Sequence, residues 1–294
     1  MSISISKLLQ EYCIIDEVSL LGERPFDVFA RATTHVDGNR CIFISDKKYL
    51  REIDPTVSMV ITTESIAKLL DKDGDIGVCV SENPRGLFFE LMSTYENGEG
   101  LEKFETRIGK NCDISKTAII SPYNVIIGDN VQIGDYVVIH PNTTIGDCVT
   151  IQTGAKIAEQ DFNVYSYHGI KKRVYHSGHV VIGSNVLISP GVFVGQAMYS
   201  YGKTFIGDNC FIGANIVIGH NTEIQSGCEV CANSALGGYC KIGENTKIFM
   251  TVTVANATTV GKNVTVNMGS VVIRNIPDGK TVFGNPAREI ITPK

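Results

Sequence analysis

The chain has 294 residues, 43% of them hydrophobic, and its 26 basic and 31 acidic side chains leave a formal net charge of −5. That length suits two domains better than one core or three. No basic block exceeds Lys171, Lys172 and Arg173, which excludes nucleic acid as the expected partner, and no apolar run approaches the ~18 residues a membrane span needs.

The opening MSISISKLLQEYCIIDEV puts acidic residues inside its apolar stretch and lacks a basic segment before it, so it reads as no signal peptide and the expected location is the cytoplasm. SKLLQEY predicts a short amphipathic helix, NRCIFIS and VSMVITT predict strands, and SIAKLLDK and PRGLFFELMSTYE predict helices. Together these give a small α/β domain over residues 1–100, and NGEGLEKFE is the expected linker. The nine cysteines, an odd count, are expected to be reduced thiols.

From residue 108 the pattern changes. An aliphatic residue recurs every six positions: Ile108, Ile114 and Ile120, then after a slip of one residue Ile127 through Ile157. Ile182, Ile188 and Val194 form a second run, and twelve consecutive matches from Ile206 to Val272 form a third. Neither a 3.6-residue helix nor a plain alternating strand has this period. Glycine often follows the aliphatic residue, as at Gly109, Gly128, Gly207 and Gly243, and is read as the residue that frees a corner from Cβ strain. A small or β-branched residue follows four positions after the aliphatic one, as at Cys210, Thr222, Cys228, Ser234 and Cys240. Each hexad is thus a short strand with inward side chains and then a turn. The Cys228 and Cys231 pair, a C-x-x-C, falls into this packing pattern and needs no metal.

These residues resemble the hexapeptide-repeat acyltransferases over residues 108 to about 290. The resemblance implies a mainly β fold, a left-handed parallel β-helix in which three hexads make one coil, and twenty-four hexads give about eight coils or roughly 38 Å at the usual strand spacing. The β-helix domain is placed at 101–275 and a C-terminal tail at 276–294. Two stretches break the period, 158–181 and 195–205, and concentrate tyrosines and histidines. Tyr165 and His168 are candidate contacts to an acceptor there, or the stretches are solvated loops with subunit-contact aromatics.

The N-terminal half resembles the uridine-binding domain of the UDP-3-O-acylglucosamine N-acyltransferases on GNRCIFISDKKYL. Phe43 and Tyr49 fall on the positions that flank the base in that family, and Asp46 stands where an amide is usual. Aromatic faces suit any base. Phe43 reads equally as core of a strand. His220 lies in IGHNTEI and matches the family's HN step, which makes it the candidate general base with Asn221 beside it. Eighteen residues on, Gly237 and Gly238 fall on the same corner one coil away. They open space for a thioester, and the resemblance gives the Gly238 N–H the oxyanion. The ending GKTVFGNPAREI resembles coenzyme A-dependent sugar acetyltransferases, and implies that Gly284, Asn285, Pro286 and Arg288 grip the donor. His140, His168, His176 and His179 match no motif, and with His220 they lack the spacing of a zinc site. The expectation is therefore an acyltransferase, an N-acyltransferase before an O-acyltransferase. It uses acyl-CoA or acyl carrier protein as co-substrate and a nucleotide amino sugar as acceptor, works as a homotrimer, and carries no permanent cofactor or metal. The dedicated lipid A enzyme and a non-catalytic nucleotide-sugar scaffold are the alternatives.

Overall fold

A computed structural model describes residues 2–14, 18–70, 75–98 and 103–290. Residues 99–102 of the predicted linker, the last two of the predicted helix SIAKLLDK and the end of the predicted tail lie outside the described residues. The chain divides into two compact units. One holds the N-terminal hundred residues with Phe162–His176 and Tyr199–Tyr201, and the other holds Lys103–Asp161, Ser177–Met198 and Gly202–Lys294. Among the described residues no helix is long and apolar enough to cross a membrane.

In the first unit, β1 (Ser19–Leu21), β2 (Val28–Phe29), β3 (Arg40–Ile44), β4 (Val57–Thr62) and β5 (Gly77–Val80) form one sheet in the order β1-β5-β4-β3-β2. All neighbours are parallel except β1, which runs antiparallel on β5. Helix α1 (Ile5–Glu11), the single turn α2 (Glu64–Ala67) and the long α3 (Pro84–Asn97) complete it. The stop of α2 at Ala67 shortens the helix predicted over SIAKLLDK. Helix α3 starts where the sequence supplies both a cap and a rigid first turn. Asn83 Oδ1 accepts from Gly86 N at 2.9 Å, and Pro84 needs no acceptor for its missing N–H. Phe88 of α3 meets Phe29 edge-on at 5.3 Å between centroids, and Phe26, Phe29, Ile42, Met59 and Leu87 are fully buried.

A charge is locked into this core. Arg40 is completely buried, and its guanidinium donates to the carbonyls of Arg31 (2.9 Å), Ala32 (3.1 Å) and Thr34, to Thr56 Oγ1 (2.9 Å) and to Asp54 Oδ2 (2.8 Å). Burial pushes the Asp54 carboxyl up, but the Thr56 hydroxyl and N–H, with the Arg40 and His35 charges, outweigh it and hold the carboxyl below its ordinary value. A depressed carboxylate contributes stability that is present above the unfolded value near 3.9 and is lost as pH falls through the lower folded value. Asp54→Asn is expected to destabilise this unit by about 2–3 kcal/mol at pH 7, because a buried cation loses its counter-charge. In urea titrations the gap to wild type should close as pH drops below the carboxylate range; a gap independent of pH would count against this assignment.

The second unit is a parallel β-helix with three walls. Nine, eight and eight parallel strands stack on the three walls, and Arg288–Glu289 adds an antiparallel strand at the end of the first. Most strands are two residues long, and from Ile127 onward the periodic aliphatic residue is buried in one continuous core, while Ile108 at the start of the stack is exposed. The expected C-terminal tail is part of this stack: Thr281–Phe283 pairs in parallel with Thr265–Val266. Likewise His179 is not in a loop but opens the wall strand His179–Ile182, paired with Lys203–Ile206. The expected loop before it contains a hairpin, Val164–Tyr167 with Ile170–Arg173.

The corner glycines act differently from their expected role. Gly109, Gly128, Gly207 and Gly243 have ordinary φ, and the left-handed backbone lies two residues later, at Asn111, Asn130, Asn209, Asn245 and, in other coils, Gly191 and Gly227. Asparagine is the non-glycine residue that best tolerates that region. Glycine follows the aliphatic residue because the next coil lies on top of it: a Cβ at Gly109 would sit 2.4 Å from Gly128 O, and one at Gly243 2.5 Å from Gly261 C. The small residue four positions on turns its side chain inward and caps a carbonyl of the next coil. Thr222 Oγ1 donates to Gly237 O at 2.9 Å, Ser234 Oγ to Phe249 O at 3.0 Å, and Cys228 Sγ to Gly243 O at 3.1 Å. Cysteine at Cys210, Cys228 and Cys240 is a hydroxyl substitute in this position.

Candidate active site

One corner of the β-helix gathers the unusual residues. Strands carrying Ile157, Val194, Ile218, Leu236, Val254 and Val272 stack in parallel on one wall with these residues in line, and an irregularity follows Ile157. In the two coils before His220 the chain leaves this corner, after Asp161 and after Met198, and returns at Ser177 and Gly202. In the next coil it makes the turn Gly219, His220, Asn221, Thr222.

His220 is 7% exposed, and the ring is held from several sides. Its main-chain N–H donates to Asp161 Oδ2 at 2.8 Å, and Nδ1 lies 3.2 Å from Asn221 Oδ1. That oxygen also accepts from Met198 N at 2.9 Å, which fixes the orientation of the Asn221 amide, since a backbone N–H needs an acceptor. Nδ1 must then carry the proton of the neutral ring, and Nε2 keeps its lone pair. Nε2 faces Gly238: a Cβ added there would be 2.5 Å from Nε2 and 2.9 Å from Cδ2 and Cε1. Asn221, with φ +58°, occupies the left-handed corner position, and its N–H donates to Thr204 Oγ1 at 2.8 Å, which donates in turn to Gly195 O at 2.7 Å. Asn221 is thus both a corner residue and the orienter of the imidazole.

Gly237 stands in the stacking position, where a Cβ would lie 2.2 Å from Asn256 Oδ1. At several corners, though not all, the N–H that follows such a glycine is committed to a side chain of the next coil, as Ser184 N is to Asp208 Oδ1 at 2.7 Å and Lys262 N to Asp278 Oδ1 at 2.8 Å. No such acceptor takes the Gly238 N–H among the described residues. A donor therefore lies beside the basic nitrogen, the pairing that acyl transfer requires.

Phe43, in the first unit, is half-buried with its ring 5.1 Å from Phe88 and 5.8 Å from Phe89, and Tyr49 on the adjoining 3-10 turn is exposed under Lys48. Asp46 caps that turn by accepting from Lys48 N at 3.0 Å, and this bond, with the Lys48 ammonium, lowers its carboxyl. Tyr165 is buried and donates to Glu90 Oε2 at 2.8 Å, a carboxylate that Lys172 also grips. His168 is exposed at the hairpin tip, φ +46°, against the Tyr167 ring. In the second unit His140 pairs with Glu159 at 3.2 Å. Gly284 (φ +107°), Asn285 and Pro286 form the turn that closes the last coil, where Gly284 N donates to Ser270 Oγ at 3.2 Å. Arg288 lines an adjacent cavity of about 190 Å³ with Arg274, Asn275 and Lys280. Asp161 and Thr204 carry no sequence signal, because both lie within the stretches that break the period and meet His220 only through the fold.

The bacterial transferase hexapeptide family, described as six repeats, matches residues 124–159 and 203–238, the second stretch ending on Gly238 itself. These two stretches of the stack are therefore hexapeptide repeats of the bacterial transferase type. Among solved hexapeptide proteins, a UDP-N-acetylglucosamine acyltransferase from Campylobacter jejuni is similar at 25% identity over 63% of this chain and 69% of its own, with a TM-score of 0.57. The UDP-N-acetylglucosamine acyltransferase LpxA from Bacteroides fragilis is similar at 26% identity, with 63% and 70% covered and the same TM-score. The bifunctional protein GlmU of Corynebacterium aurimucosum is 39% identical over 88 residues, and the chain spans 18% of that relative's length. The hexapeptide stack is accordingly the left-handed β-helix.

Proposed function

We propose that this protein is an acyltransferase that moves an acyl group from a thioester, acyl-CoA, to the amino group of a nucleotide-linked amino sugar, with His220 as general base. The observation that carries the reading is the lone pair of His220 Nε2 facing Gly238, whose N–H is a ready donor. The amine nitrogen attacks the thioester carbonyl while Nε2 takes its proton, and the oxyanion accepts from Gly238 N–H. The carbonyl then re-forms as the C–S bond breaks, and the thiolate leaves with the proton from the imidazolium. The acceptor class is supported by the UDP-N-acetylglucosamine acyltransferases of similar fold. Phe43 and Tyr49 are proposed to flank its base, and Arg274, Lys280 and Arg288 to meet donor phosphates. The working form is proposed to be a homotrimer, with Ile119, Val217, Phe249 and Met250 among the exposed apolar residues that association would cover.

Thiol release and product mass with a panel of UDP- and dTDP-amino sugars test this, using acetyl-CoA and a 3-hydroxyacyl carrier protein as donors, alongside sedimentation of the same sample. Turnover with acyl-CoA by a trimer is expected. Turnover with carrier protein alone would replace the donor, and bound sugar nucleotide without thiol release would replace catalysis by a scaffold role.

A further inference from the structure

Tyr239 is the residue that follows Gly238, at the third position after the wall residue Leu236. Its backbone is left-handed, φ +62°. In most coils that position belongs to asparagine or glycine, which accept this conformation readily, whereas a bulky aromatic there is a conformational outlier. Asparagine is expected to suit this corner at least as well as tyrosine. Tyr136 has the same backbone at the same place in its coil, φ +57°, but is exposed, whereas the Tyr239 ring is half-buried against a side chain.

The ring lies edge-to-face on the His220 imidazole, with centroids 5.0 Å apart and planes at 88°. The Tyr239 N–H donates to His220 O at 2.9 Å, so the two residues are also tied through the backbone of adjacent coils. Its contact completes an enclosure: Asn221 Oδ1 is at Nδ1, Gly238 is at the Nε2 tip, and the Tyr239 ring closes a third side. Asn221 holds the ring at one edge through a single contact, and glycine offers the other edge no side chain. A packed aromatic ring resists a swing of the imidazole about its Cβ–Cγ bond.

We propose that Tyr239 is a positioning residue that holds the His220 imidazole in its working rotamer and shields it from solvent, at the cost of an unfavourable backbone conformation. This rests on the reading of His220 as the base. It predicts a separation of effects: loss of the ring frees the imidazole and slows the chemical step, while substrate binding and the coil survive. An error of about 1 Å in the base is enough for a loss of order tenfold to a hundredfold in rate.

The test compares Tyr239→Asn, which suits the left-handed corner, with Tyr239→Phe, which keeps the ring. Two readouts are taken. One is the rate of carbethoxylation at His220 by diethyl pyrocarbonate, followed by mass spectrometry of its peptide. The other is steady-state acyl transfer. Tyr239→Asn is expected to melt cooperatively near wild type, to raise the modification rate at His220 about fivefold or more, and to lower kcat about tenfold with acceptor KM within about twofold. Tyr239→Phe is expected to stay within about twofold of wild type in both readouts. The proposal is overturned if Tyr239→Asn leaves the modification rate unchanged, or if Tyr239→Phe loses as much as Tyr239→Asn. Carbethoxylation needs no acyl donor, so a wild-type protein inactive with every donor would sink the assigned reaction while the modification rates still decide the role of Tyr239.

Discussion

Replacing His220 with alanine is expected to lower kcat by roughly 10²–10⁴ while the protein stays folded and still binds its acceptor. The size follows from what the side chain supplies. An amine attacking a thioester must lose a proton as the C–N bond forms, and the imidazole is the group set against Gly238 to take it. The fold should not notice the change, because the coil is held at this point through the His220 main chain, whose N–H reaches Asp161 and whose carbonyl takes Tyr239 N–H. The acidic limb of the kcat/KM profile should go with the imidazole, measured with an acceptor whose own amine is neutral across the range. A folded His220→Ala protein within threefold of wild-type activity would end the case for a base here.

The second large effect is expected at Gly238. A methyl group there would lie 2.5 Å from Nε2, far inside contact distance, and its nearest neighbours are all atoms of the His220 ring. A free imidazole would swing away at little cost. This one has Asn221 at Nδ1 and Tyr239 on its flank, so the added methyl displaces the base and occupies the space for the thioester carbonyl. Gly238→Ala is expected to cost about 10²-fold or more in kcat with a melting midpoint close to wild type. Gly237→Ala makes the informative contrast: its methyl would strike Asn256 Oδ1 and N at 2.2 and 2.8 Å, a clash within the stack that lowers stability before it touches chemistry. Near-normal turnover by Gly238→Ala would show that the carbonyl does not lie at this glycine.

The walls of the β-helix were legible because one requirement, an aliphatic residue turned into a narrow core, repeats every six residues. The reason for the glycines was not. From sequence, a glycine at a corner reads as conformational freedom, and only the stack shows that Gly109 or Gly243 is small because the next coil rests on it, while Asn111 and Asn245 take the left-handed turn. His220, Asn221, Gly237 and Gly238 could be singled out because an eighteen-residue coil turns sequence distance into vertical distance. Asp161 and Thr204 could not, since both lie beside excursions whose length hides the register. In the first unit the strands Arg40–Ile44 and Val57–Thr62 were apparent from their apolar runs, whereas Gly77–Val80 and Ser19–Leu21 were too short and too interrupted to stand out.

The wall that joins Ile157, Val194, Ile218 and Leu236 keeps its register although the chain between the first two pairs wanders off and comes back. In mechanical terms the corner is a bracket: weight hung from it is carried by the coils above and below, each bonded only to its neighbours. Segments attached there can lengthen, shorten or change composition without retuning the core, and the imidazole one coil on keeps its seat. If the proposed reading holds, chemistry built into the stack and selectivity carried by its appendages would be separable.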